Sequence, residues 1–437
     1  MKNHKTKILL LSLILFITSF ISAQQIITLE NSIKLALLNN YGLEIARSEQ
    51  EISKINNDLG SAGFLPQIKA TAGNNLTNYN IHQETNTGII TDSKNVSGNN
   101  VNASIGLSWT LFDGTKMFAT HKKLNELEKL SEIKYKMAIE DLVYRVITQY
   151  YTLIKLKQQI LLSESLIELY KKRKLVAETK NTAGSSSGLE VLQAQADFNA
   201  QNATLLKLQS QFQQAKYSFA RIIINNPQEV FDVNDSLNIA PLYNLEAIKT
   251  NIKQNNIQLK AAKINLNISE FSFKEARAGY FPKIGFGANY NFASTDNSAG
   301  SILNSRTDGP YYGFTATWNL FDGMAVKRSV KSSKIQQKIM QLTINEINLQ
   351  LETAILSQFK LYESNLQITT MEEQNITIAK TALDIAMEKY TLGIINDIQL
   401  KEVQRTFEDA QLRLITARYD TKISETELLR LQGLLIR

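Results

Sequence analysis

The sequence predicts a mostly α-helical chain with a transmembrane β-barrel part, built from one helix–β-hairpin–long helix–helix unit used twice. Three observations predict it: an internal duplication, four segments of period-two alternation, and two proline-free helical stretches of unusual length. The duplication is read first, because self-similarity at a fixed offset marks a repeated supersecondary unit. Trp109–Gly114 (Trp-Thr-Leu-Phe-Asp-Gly) recurs as Trp318–Gly323 (Trp-Asn-Leu-Phe-Asp-Gly), an offset of 209 residues. Thr182-Ala183-Gly184 recurs as Thr391-Leu392-Gly393, and Phe198 as Phe407, at the same offset. Leu65-Pro66 answers to Phe281-Pro282 at an offset of 216, so seven residues are lost in the polar loop between these anchors. The chain then divides into a leader at 1–23, a first repeat at 24–227, a linker at 228–243 and a second repeat at 244–437.

The leader is read from Lys2, Lys5 and Lys7, the apolar run Ile8–Ile21 and the small residues Ser22-Ala23. Its apolar run is short for a bilayer span, so cleavage before Gln24 is expected, and export with it. No later run of 18 apolar residues predicts a membrane helix.

Helices are expected at Leu29–Gly60 and, from its apolar spacing of three and four, from Gly114 to about Lys180. The counterpart of the long stretch runs from about Met324 to Thr391, and each would be about 100 Å long. Shorter helices at Gly188–Asn225, Leu245–Ala278 and Asn396–Gln432 match that length when laid end to end in pairs. An isolated helix this long is not stable on propensity alone, so lateral packing is required. Sharp turns at Asn181–Gly188 and Leu392–Asp397 close the helix pairs, with Gly184 and Gly393 suited to a left-handed helix end. Ser187 and Asn396 or Asp397 can cap the helices that follow.

Strands are expected at about 64–76, 101–112, 280–293 and 310–321, pairing as two hairpins with long polar loops at Thr77–Asn100 and Ser294–Gly309. Val101, Ala103, Ile105, Leu107, Trp109 and Leu111 alternate with small polar residues, which marks a sheet between unlike surroundings. Aromatics near both strand ends fit the interfacial girdles of a membrane barrel. Tyr79, Tyr290, Phe292, Tyr311 and Tyr312 would form the outer girdle; Phe64, Trp109, Phe112, Tyr280, Phe281, Trp318 and Phe321 the inner one. Pro66, Pro282, Gly114 and Gly323 mark the joints between strands and helices. The competing reading is a soluble β-sandwich with apolar faces turned together. In a membrane, four strands are too few to close a barrel, so several copies must share one.

Composition excludes several function classes. Cysteine is absent, which removes disulfides, thiol catalysis, cysteine-based zinc sites and a lipid-bearing N-terminal residue. The three histidines, His4, His82 and His121, do not cluster, so neither a metal nor another cofactor is expected. Charge is +7, falling to 45 basic against 41 acidic residues without the leader, and it is interspersed, which gives no support for a nucleic-acid partner. No nucleophile–base set or phosphate-binding loop points to an enzyme.

The duplicated order, the Gly-Phe-Leu-Pro and Gly-Tyr-Phe-Pro strand starts, the two Leu-Phe-Asp-Gly strand ends and the glycine helix turns resemble the TolC outer-membrane efflux protein family. The resemblance covers nearly all of the expected mature chain. It implies a homotrimer with a twelve-stranded barrel continuous with a periplasmic α-helical tunnel. It also implies an exit duct set in outer-membrane lipid and docked on an inner-membrane pump through a periplasmic adaptor (membrane fusion) protein. The cargo would be drugs, small molecules or proteins. In that family polar links beside the turns hold the tunnel closed. Tyr390 matches the tyrosine three before the second glycine, and Glu190 the acidic position six after the first. Of two acidic positions after the second glycine, Gln399 departs from the pattern and Glu402 keeps it, while the basic gate position is Ile395. The competing function is an exported coiled-coil scaffold or adaptor without a pore, which would not need four amphipathic strands.

The protein is expected to fractionate with the outer membrane and to run as a trimer in mild detergent. Native mass spectrometry showing a monomer that keeps its β-signal in lipid would contradict this.

Overall fold

The computed structural model describes residues 25–224, 226, 231–234, 237, 239 and 243–436. The expected leader and most of the expected linker lie outside them. Two compact units emerge. One comprises 25–46, Tyr135–Ile257 and 348–436 within its described residues; the other comprises Arg47–Lys134 and Gln258–Ile347.

The first repeat holds β1 (Gln25–Ile27), α1 (Leu29–Asn39), α2 (Tyr41–Ile55), β2 (Gln67–Glu84), β3 (Ile90–Phe112), α3 (Lys116–Thr182) and α4 (Gly188–Ile223). After β4 (Phe231–Val233), the second repeat holds α5 (Leu245–Asn255), α6 (Ile257–Ala278), β5 (Lys283–Asn297), β6 (Asn304–Thr317), α7 (Ala325–Thr391) and α8 (Asp397–Leu431). Helices α3 and α7 each run for 67 residues, as expected, and contribute to both units.

The helical unit departs from expectation in two places. The helices expected at Leu29–Gly60 and Leu245–Ala278 are each broken in two, at Asn40 and Asn256, which lie 216 residues apart. Both asparagines leave the helical conformation, with ψ of 117° and 123°. Their amides donate to equivalent carbonyls, Asn40 Nδ2 to Ile222 O and Asn256 Nδ2 to Leu431 O, both at 3.1 Å. Those carbonyls end α4 and α8, where helices lack internal partners for their last carbonyl groups. The second departure is in the linker, where Phe231–Val233 pairs in parallel with Gln25–Ile27. Three-residue strands leave no periodic signal. Phe231 and Val233 are buried in a core with Tyr150, Tyr151, Phe219 and Ile223, and the Tyr150 hydroxyl donates to Ile27 O at 3.2 Å.

In the other unit β2, β3, β5 and β6 form one antiparallel sheet in that order. The strands outrun the expected boundaries at the loop side. Only 85–89 and 298–303 remain as connections, where Thr77–Asn100 and Ser294–Gly309 were expected as loops. Backbone pairing needs no apolar side chains, so Asn- and Ser-rich segments extend the ladders without the alternation that marks them in sequence. At the opposite side β6 stops at Thr317, short of the expected Phe321.

Directly opposed residues share a face in an antiparallel pair. One face carries the rows Ile68/Leu107/Ala288/Tyr312 and Ala70/Ile105/Tyr290/Pro310, and Trp109/Phe286/Phe314 beside them. The other carries Gln67/Ser108/Gly287/Gly313 and Thr71/Ser104/Asn291/Gly309. Two girdle assignments are corrected by this register. Tyr311 lies in the row of Lys69, Gly106 and Asn289, on the polar face, because consecutive strand residues point oppositely. Tyr79 is also on that face, its hydroxyl donating to Asn297 Oδ1 at 3.3 Å. Phe112 joins the apolar face, opposite Ile284, because the ladder slips by one residue between Thr110 and Phe112.

The joints repeat in detail. Trp109 Nε1 donates to Phe64 O at 2.8 Å and Trp318 Nε1 to Tyr280 O at 3.1 Å, so each tryptophan ties a strand end to the start of its hairpin partner. Pro66 and Pro282 immediately precede β2 and β5, where a missing N–H costs little. Asp113 accepts from Met117 N and Asp322 from Ala325 N and Val326 N, capping the two long helices. Gly114 and Thr115, like Gly323 and Met324, have φ between 64° and 73°, the reversal that swings each strand into its helix.

Phe314 and Thr315 test the faces as sequence neighbours. Phe314→Arg puts a cation on the apolar face, at a cost of about 2–4 kcal/mol near the bilayer midplane and about 0–1 near an interface. Thr315→Arg should assemble normally. Equal yields of folded protein from both variants in outer-membrane extracts would reject the assigned faces.

Candidate functional site

The two helix turns are built alike at first. Gly184 N donates to Asn181 O and Ser185 N to Lys180 O, at 3.0 and 2.8 Å. Gly393 N and Ile394 N donate to Tyr390 O and Lys389 O at 3.0 and 2.9 Å. These nested bonds define the Schellman helix end, which needs a residue with positive φ; Gly184 and Gly393 supply it at 72° and 78°.

Beyond the glycines the turns differ. Ser187 occupies the N-cap of α4 but its side chain makes no capping bond, and Gly188 opens the helix. Asn396 caps α8 in a capping box: its Oδ1 accepts from Gln399 N at 2.9 Å, and Gln399 Oε1 accepts from Asn396 N at 3.1 Å. Gln399, which the family pattern assigns to a constriction, is thus engaged in holding its own helix start.

Tyr390 is fully buried at the end of α7, and its hydroxyl donates to Glu190 Oε1 on α4 at 2.7 Å. Burial, then the hydrogen bond and charge of Glu190, hold the phenol well above its ordinary pKa, so it stays a donor. Lys180 on α3 lies 3.9 Å from the Tyr390 ring centroid and donates to the Tyr390 carbonyl. Tyr390, Leu400 and Ala386 form a small core against which Ile395 packs with Val176 and Val403. Where the family pattern has a basic link, this chain has apolar packing. Glu402 is exposed on α8 and joins none of these contacts among the described residues.

The largest polar feature beside the turns was not expected. Arg173 on α3 is fully buried. Its Nε donates to Asp397 Oδ1 at 2.6 Å, its Nη2 to Asp397 Oδ2, and its Nη1 to Asp197 Oδ2 at 2.9 Å and Gln404 Oε1 at 3.4 Å. Lys401 donates to the second oxygen of Asp197 at 2.8 Å. Burial opposes the guanidinium charge, but Asp397 and Asp197 outweigh it and raise the pKa above its ordinary value. Four helices, α3, α4, α7 and α8, are tied here by Arg173, Asp197, Asp397, Tyr390 and Glu190. In sequence Arg173 sits within Lys171-Lys172-Arg173-Lys174, which reads as a solvated basic run. Only its burial sets it apart.

Removing one member of a buried ion pair leaves an uncompensated charge and costs about 3–5 kcal/mol, whereas replacing both by apolar groups is often nearly neutral. Asp397→Leu should therefore lower the urea midpoint of helix loss in detergent more than Arg173→Met with Asp397→Leu. The opposite order would show that the pair is not a coupled buried unit.

The comparisons with known proteins follow the same organisation. The family model for outer membrane efflux protein matches residues 32–223 and 250–434. The chain is 22% identical over 414 residues to the pyoverdine export outer membrane protein OpmQ of Pseudomonas aeruginosa, covering 90% of this chain and 83% of that one. It is 21% identical over 382 residues to the outer membrane protein TolC of Vibrio cholerae, covering 86% and 83%. Among solved structures, the CmeC outer membrane channel of Campylobacter jejuni superposes with a TM-score of 0.77 at 16% identity, covering 93% of this chain and 85% of that one. The outer membrane protein VceC of Vibrio cholerae gives 0.74 at 15%, covering 93% and 96%. The fold is that of TolC-type channels. With both repeats matched, the chain belongs to the outer membrane efflux protein family.

Proposed function

We propose that three copies of this chain form a passive exit duct through the outer membrane, and that the helix turns at Gly184 and Gly393 carry its gate. As a family member the chain is an outer-membrane channel subunit rather than an enzyme, working as a homotrimer with a periplasmic adaptor and an inner-membrane pump. Family membership displaces the pore-less scaffold reading. The gate is our own reading of this chain.

The observation that carries the gate is the Tyr390–Glu190 hydrogen bond, which joins the α7–α8 helix pair to the α3–α4 pair beside both turns. Arg173–Asp397 and Lys401–Asp197 join the same two pairs. In this reading Arg173 supplies, at a buried position, the cross-link that Ile395 cannot. Opening slides one helix pair against the other and breaks these links. A hydrogen bond to a charged group contributes about 1.5–3 kcal/mol. Three copies of one such link come to roughly the ~5.5 kcal/mol that moves a two-state equilibrium from 1:99 to 99:1. A pump or adaptor opens the duct by binding the open form more tightly, by about that amount. Three copies of Glu402 around the axis would favour cations, as rings of carboxylates do.

Tyr390→Phe combined with Glu190→Gln should raise single-channel conductance in planar bilayers. Glu402→Gln should lower cation selectivity without affecting assembly. Unchanged conductance and selectivity would reject the gate while leaving the duct intact.

A further inference from the structure

The two faces of the sheet differ in charge as well as in polarity. Over 67–79, 98–110, 283–297 and 305–317, the polar face carries two charged side chains, Lys69 and Lys283. The acidic residues of the same stretches, Asp296 and Asp308, lie on the apolar face together with Arg306. Glu84, Asp92 and Lys94 lie outside these stretches, past the irregularity between Tyr79 and Ile81. Across these ladders the polar face therefore has basic groups and no carboxylate.

Both lysines are exposed, and neither forms an ion pair among the described residues. Their neighbours offer hydrogen-bonding groups without an opposing charge. Lys69 shares its row with Gly106, Asn289 and Tyr311. Lys283 opposes Thr317 and lines a cavity of about 730 Å³ with Gln67, Ser108, Thr110 and Thr315. Gly285 and Gly287 also line it and contribute no side chain there. Lys283 and the row of Lys69 are six residues apart along β5, or about 20 Å, so the two lysines act at separate levels. A lysine ammonium offers three donors and no acceptor, which suits it to oxyanions.

We propose that Lys69 and Lys283 make the barrel lumen an anion-attracting passage, favouring small-molecule cargo that bears a carboxylate, sulfonate or phosphate. Three copies turn each lysine into a ring, and rings of basic side chains select anions. Every copy presents the same face, so assembly adds cations at these two levels and no carboxylate. The proposal rests on the trimeric duct reading, in which the polar face lines the lumen. Its sign is opposite to that of Glu402, which belongs to the other unit, so the charge preference has to be read at the sheet itself.

The chain has no cysteine, so single reporters can be placed beside each lysine. Thr315→Cys lies diagonal to Lys283 and Ser108→Cys diagonal to Lys69, each about 7–8 Å away. The protein in mild detergent is labelled with two small methanethiosulfonates, one ending in a sulfonate and the other in a trimethylammonium. In 0.01 M salt, adding Lys283→Gln to Thr315→Cys, or Lys69→Gln to Ser108→Cys, should lower the anionic-to-cationic rate ratio about threefold. Lys283→Arg and Lys69→Arg should preserve the ratio, and 1 M salt, with a screening length of about 3 Å, should remove the difference. Native mass spectrometry of each variant reports assembly independently. Ratios unchanged by the glutamine variants within labelled, intact trimers overturn the anion preference and leave the duct standing. Reporters closed to both reagents while Phe314→Cys is labelled would reverse the faces, and absence of a trimer in every variant would remove the duct; either result overturns both readings.

Discussion

Backbone hydrogen bonding in lipid is the constraint on which the rest depends. An unpaired N–H or C=O in the hydrocarbon region costs several kcal/mol, so a membrane sheet cannot keep an open edge. Here β2 and β6 are such edges, and each exposes a row of backbone groups. One chain supplies too few strands to close on itself, so assembly is part of the fold. The same constraint explains the care taken where strands become helices. Asp113 and Asp322 meet the first free amides of the long helices, and Trp109 and Trp318 take up carbonyls at the hairpin starts.

Duplication solved this problem twice with the same parts. The joints share an aspartate cap, a pair of positive-φ residues and a tryptophan tie; the helix breaks share an asparagine clamped on a neighbouring helix end. The repeats diverge where their duties differ. The turn at Gly393 carries a full capping box, and the turn at Gly184 has a serine that caps nothing. The capping box lies at the start of α8, where Asp397 accepts from Arg173. The polar connections beside the turns are accordingly asymmetric, with the basic members on α3 and α8 and the acidic members on α4 and α8.

Ile395 removes a basic residue from the turn and adds apolar packing beside Tyr390. A buried arginine between two aspartates is costly to assemble and costly to break, so it specifies one arrangement of helices more than it adds stability. That property would suit the gate proposed for these turns, which holds one state until a partner displaces it.

Sequence alone determined the duplicated order, the two long helices, the glycine turns and the alternating strand cores. Each depends on local periodicity or on a residue whose backbone freedom is itself the signal. The Tyr390–Glu190 pair was also legible, but only through the family resemblance, whose pattern places both by their count from the two glycines. Tertiary structure alone decided the rest. It paired Asn- and Ser-rich segments that carry no alternation, and a one-residue slip at Leu111 moved Phe112 to the apolar face. Parity separated Tyr311 from Tyr312, although both look alike as girdle aromatics. Arg173 stands in a run of lysines, and only its burial between Asp197 and Asp397, residues 24 and 224 positions away, distinguishes it from them. The physical reason is the same in each case: periodicity reports which residues face a common environment, while register and ion pairing are fixed by groups distant in the chain.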